Sequence, residues 1–187
     1  MIRFRCITEK GFNIAAVIQT RMLESKSGFL IKEIDIRELV FDVRTRIQCV
    51  YCERYGKKLT CPPNIPDLDY FFEFFKRYSR GVLILKKYNA LTDETRVLST
   101  RELTQKVIEI ETNYKKQGYY YAAGFIGGSC KECKRCPKSG CVHPDRARIP
   151  LEATGVDVIK TCERLGIILP RPAEGKPFYR VGLVVIE

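Results

Sequence analysis

No apolar run in the 187-residue chain approaches the ~20 residues of a membrane span, which argues against a helical membrane protein. The start, Met1-Ile2-Arg3-Phe4-Arg5-Cys6, carries charge with no apolar core or small-residue cleavage site behind it, so no secretory signal is expected. A cytoplasmic location follows. Also missing are a glycine-rich phosphate loop and a nucleophile motif, and Gly124, Gly127 and Gly128 give only a partial pattern. That removes the usual grounds for a hydrolase or phosphoryl-transfer enzyme. No internal repeat and no long polar linker divide the sequence, so one α+β domain over residues 1–187 is the economical reading. Histidine is nearly absent, with His143 the single example, and acidic residues are outnumbered, 22 against 33 lysines and arginines.

Cysteine is abundant instead. Seven of the nine fall in two groups, Cys49, Cys52 and Cys61, then Cys130, Cys133, Cys136 and Cys141. An odd total, with neighbours only two residues apart, is poorly suited to a disulfide framework that must staple distant segments. Reduced thiols bound to metal fit better. At this length the chain can bury a core without metal, and its hydrophobic fraction of 45% is that of an ordinary globular protein. Metal is thus not required merely for folding.

The pattern predicts a mixed central sheet with packed helices and a cysteine-rich loop region. Ile2, Phe4 and Cys6 alternate, and Ile14 to Ile18 is apolar, which suggests short strands turning near Lys10-Gly11. Ile36, Leu39, Val40, Val43 and Ile47 recur at helical spacing behind Asp35, predicting a helix that delivers Cys49. Three prolines, Pro62, Pro63 and Pro66, enforce a rigid loop. Asp67 then caps a helix carrying Leu68, Phe71, Phe72 and Phe75, an aromatic stripe read as core. Gly81 is expected to end that helix before the strand Val82 to Leu85. Ser99 with Glu102 predicts a capping box opening a helix with Leu103, Val107, Ile110 and Tyr114 on one face and Gly118 as its stop. Tyr119 to Ile126 and Tyr179 to Ile186 read as strands, and Pro150 and Asp157 as helix starts.

In the second cysteine group the gaps run two, two and four residues, a rhythm resembling the run of bacterial ferredoxins with a longer last gap. Iron and sulfide lead, as one or two four-iron clusters, with zinc in a four-cysteine site the competing metal. Four of the eight residues between those cysteines are cationic, Lys131, Lys134, Arg135 and Lys138, and they favour thiolate by charge attraction. The first group offers only three thiols, so either a coordination position stays open to a small ligand or Cys141, Cys6, Cys162 or His143 closes it. Cys6 and Cys162 sit in apolar patterns that suit packing. Electron transfer or small-ligand redox chemistry in anaerobic metabolism, with a redox partner protein, is the leading functional expectation. The alternative is a zinc-stabilised module whose +11 charge and Tyr119-Tyr120-Tyr121 meet nucleic acid. Thiol-disulfide exchange through Cys49 and Cys52 is a weaker third, because Cys61-Pro62-Pro63 interrupts the strand-loop-helix context it needs.

The string Cys49 to Gly56 followed by Cys61-Pro62-Pro63 resembles an uncharacterised family of predicted metal-binding proteins, a domain of unknown function. So does Gly127 to Cys141 with His143-Pro144, Arg148 and Leu151 to Val158. Ile149-Pro150-Leu151 departs from that family's expected proline, small residue and methionine, which touches packing more than ligation. The resemblance covers most of the chain from Cys49 on and implies a prokaryotic, cytoplasmic protein with all seven grouped cysteines as ligands. It does not choose between iron and zinc.

Overall fold

The computed structural model describes residues 22–25 and 27–187. The expected strands between Ile2 and Ile18, and Cys6 with them, lie outside the described residues. The fold is α+β, built on a six-stranded mixed sheet. Its strands are β1 (Leu23–Glu24), β2 (Leu30–Asp35), β3 (Arg80–Tyr88), β4 (Ala123–Ile126), β5 (Ile149–Pro150) and β6 (Phe178–Ile186), in the spatial order β1-β2-β3-β6-β4-β5. All neighbours are antiparallel except β4 and β5. Strands β3 and β6 pair along their whole length, from Arg80 opposite Ile186 to Tyr88 opposite Phe178.

Both faces of these central strands are covered, which explains why they read as continuous apolar runs instead of alternating ones. Leu83, Leu85, Leu183 and Val185 pack with Phe71, Phe75 and Cys162 on one face. Val82, Ile84, Val184 and Ile186 pack with Leu103, Val107 and Ile110 on the other. The first face is covered by α2 (Leu68–Phe75) and α4 (Val158–Arg164), whose caps are the expected ones: Asp67 accepts from the Tyr70 amide and Asp157 from the Lys160 amide. The second face is covered by α3 (Asp93–Lys116).

Four expectations fail. The helix predicted from Ile36 is a single 3-10 turn, Ile36–Glu38, then extended chain, then the short α1 (Thr45–Val50). Its backbone finds better partners far away, since the Val40 amide donates to Thr161 Oγ1 and the Val40 carbonyl accepts from Asp157. Val43 and Ile47 are accordingly exposed. Helix α3 starts at Asp93, ahead of Ser99, because Thr92 and Thr95 form the capping box with hydroxyls alone. Gly81 lies within β3 rather than at a helix end; an added Cβ would come within 2.9 Å of Ile36 Cδ1. Tyr119 to Ala122 form a turn, so β4 is shorter than predicted.

Candidate metal centre

The first three cysteines gather around the end of α1. Cys49 sits in its last turn, the Cys52 amide donates to the Cys49 carbonyl, and the Arg54 amide points at Cys52 Sγ, 3.5 Å away. Arg46 anchors α1 by donating to the Ala153 and Pro66 carbonyls at 2.7 and 2.9 Å. The proline loop then folds back, with Gly56, at φ +66°, donating to the Pro62 carbonyl. Cys49, Cys52 and Cys61 thereby line one cavity of about 260 Å3, together with Arg54, Gly128 and Glu152.

The other four cysteines follow β4 and the Gly127-Gly128-Ser129 turn. Cys130, Cys133, Cys136 and Cys141 all line a second, much tighter space of about 20 Å3, shared with His143 and Lys58. Cys141 is grouped with its sequence neighbours and is absent from the lining of the first cavity. The loop is held where it returns to the sheet: Arg148 Nε donates to Glu111 Oε2 at 2.8 Å, the same oxygen that accepts from the Gly124 amide, and Arg148 Nη1 binds the Asp145 and Ala147 carbonyls. Among the described residues, no three His, Cys, Asp or Glu side chains stand in metal-holding geometry. Seven cysteines are brought to two neighbouring cavities.

Burial governs the thiols. It pushes Cys61 up to about 11 and also raises Cys49 and Cys130, against the pull of Arg46 on Cys49 and of the Glu132 amide on Cys130. Such groups are neutral at physiological pH and ionise only when a cation compensates them. For Cys49 this is the opposite of the depressed thiol that a disulfide-exchange nucleophile needs, and all eight described cysteines are free. Buried Cys162, in the core on α4, is pushed to about 12 by desolvation and packs as a small hydrophobe.

Residues that spacing did not single out shape both cavities. Lys58 is 3% exposed, and its ammonium donates to the Cys133 and Lys134 carbonyls at 2.5 and 3.3 Å, with no carboxylate partner among the described residues. Its setting, Lys57-Lys58-Leu59, gives no sequence signal. Glu152, partly buried beside the first cavity, accepts from the Gly128 amide, and burial raises its pKa. His143 lines the second cavity, but Arg146 Nη2 donates to its Nδ1 at 2.8 Å. Tyr120 and Tyr121 are exposed beyond the C-terminal end of α3, while Arg96 and Thr100 meet the cysteine region near its start. That separation is about 30 Å at 1.5 Å per helical residue, so Tyr120 and Tyr121 lie far from Arg96 and share their end of the helix with Lys115 and Lys116 instead.

An α+β fold that collects free cysteines around two neighbouring cavities defines a cysteine-rich protein of metal-binding type. The chain belongs to the family described as predicted metal-binding protein (DUF2284), whose profile matches residues 32–186. No curated protein and no solved structure matches it. No described helix is long and apolar enough to cross a membrane.

Proposed function

We propose that this protein carries thiolate-bound metal of the iron-sulfur type at two centres of unequal openness, and serves electron transfer or small-ligand redox chemistry. Cys130, Cys133, Cys136 and Cys141 would hold a cluster with a complete four-thiolate set. Cys49, Cys52 and Cys61 would hold one with a position left for another ligand. The observation that carries the reading is the lining of one small space by all four cysteines of the ferredoxin-like run, beside the buried Lys58 ammonium. Four thiolates around an oxidised four-iron core leave about two net negative charges, which would offset a buried cation that has no acid partner. A redox partner protein then follows from the chemistry.

Zinc at the quartet is favoured by one observation, the volume. About 20 Å3 is enough for one small atom or ion, near the limit for a single water, and a four-iron core requires the loop to expand. Strictly anaerobic purification with iron, acid-labile sulfide and zinc analysis tests both readings. Brown protein with iron and sulfide in equal amounts supports the cluster; a colourless, zinc-loaded, sulfide-free protein overturns it.

A further inference from the structure

Beside the triad lies a third cavity, of about 410 Å3, whose lining includes Arg54, Arg96, Lys131 and Arg180 against Glu53 and Asp93. The two acids face arginines of their own: Glu53 pairs with Arg54 at 2.8 Å and Asp93 approaches Arg96 at 3.9 Å. Lys131 and Arg180 have no carboxylate within ion-pair distance among the described residues. Arg180 is fixed by neutral groups, its Nε donating to Ser99 Oγ at 2.9 Å and its Nη2 to the Arg96 carbonyl at 3.2 Å. Among the described residues its Nη1 makes no hydrogen bond, and it rests over Gly128, where an added Cβ would stand 3.2 Å away. A guanidinium oriented by two neutral acceptors, with one nitrogen unspent, is a preorganised donor for a carboxylate or phosphate. Glu152 attracts Arg180 and Glu53 attracts Lys131 without reaching ion-pair distance, so part of the cost of taking these cations out of water is unmet, and a bound anion offsets it.

We propose that this cavity is an oxyanion subsite, in which Arg180, Lys131 and Arg54 bind the carboxylate or phosphate of a small molecule whose remainder reaches the triad. Reaching is geometric: Cys52, Arg54, Gly128 and Ser129 line both this cavity and the one holding Cys49, Cys52 and Cys61. The volume is that of a metabolite site. The oxyanion subsite stands on charge and shape alone, whereas the reach toward an open metal position rests on the function proposed above. It gives that position a ligand class, an anionic small molecule anchored at its charged end.

The test is calorimetric titration of the metal-assayed holoprotein at low ionic strength with inorganic phosphate and, separately, succinate. Saturable binding of either, one per chain, is expected, and the preferred anion tells phosphate from carboxylate. Arg180→Gln should weaken it by about tenfold or more, as expected for losing a charge-assisted pair, and Lys131→Gln severalfold. Lys116→Gln, at the far end of α3, should leave it unchanged. Should Arg180→Gln fail to fold, Lys131→Gln and Arg54→Gln still decide. No saturable binding of either anion, or equal binding by these variants, overturns the subsite. Binding that leaves the visible absorption of the metal centre unmoved overturns the reach to the triad, and anion binding by a protein that holds no metal overturns the metal reading alone.

Discussion

The triad and the quartet differ less in chemistry than in how the chain encloses them. The quartet lies in one irregular loop, four thiols around a space of about 20 Å3, clasped at its exit by Arg148 and Glu111. The triad is assembled from a helix end and a proline-braced turn around about 260 Å3, and it opens toward a cationic cavity. Closed thiolate sets suit structural or electron-holding roles, while sets with room beside them suit exchange of a ligand. Enclosure, more than the number of cysteines, therefore separates the two.

The comparison breaks most visibly at the cysteines. Cys133→Ser should strip the quartet of metal and cost several kcal/mol of metal-linked stability, since apparent binding energy at such sites is largely folding energy. Cys61→Ser should leave the quartet loaded. Metal per chain and the thermal midpoint with and without a chelator check both, and equal loss from the two variants would erase the distinction. Lys58→Met comes next, at about 3 kcal/mol, because it orphans the Cys133 and Lys134 carbonyls. Its urea midpoint should fall, and metal retention should fall at the quartet first. Glu111→Gln should cost about 2 kcal/mol by leaving Arg148 buried without its counter-charge, and should raise amide exchange in the quartet loop.

Cys162 sharpens the comparison as a cysteine outside both sets. Cys162→Ala should leave metal content unchanged. In the native protein the folded state holds the Cys162 proton more tightly than the unfolded chain, since burial raises its pKa from 9.0 to about 12. That contribution is fully present below about pH 9 and is lost at about 1.4 kcal/mol per pH unit as pH climbs toward 12. Denaturation of native and variant protein at pH 8 and 10.5 should show a flatter alkaline decline in the variant; parallel declines would contradict the burial argument.

What the sequence made legible follows from where each partner lies along the chain. Helices α2 and α4 announce themselves because Asp67 and Asp157 cap them locally, and β3 and β6 because burial on both faces makes them uniformly apolar. The stretch after Asp35 misleads, since Val40 bonds with Asp157 and Thr161, and a helical spacing of apolar residues cannot reveal a partner so distant. At the site, the two cysteine groups are visible from spacing alone. Arg180 is not: it comes from β6, at the opposite end of the chain, and only the antiparallel sheet carries it to Gly128. Lys58 was hidden for the same reason, because nothing in its own neighbourhood tells that its ammonium will be buried.

Lys58 also decides what could be cut out of this protein and moved. It is encoded between Cys52 and Cys61, in the triad's own turn, yet it spends its ammonium on the backbone of the quartet. A peptide spanning residues 130–141, grafted onto another scaffold, would bring all four thiols and leave behind the ammonium that donates to the Cys133 and Lys134 carbonyls. The quartet is complete as a list of cysteines and incomplete as a transplant.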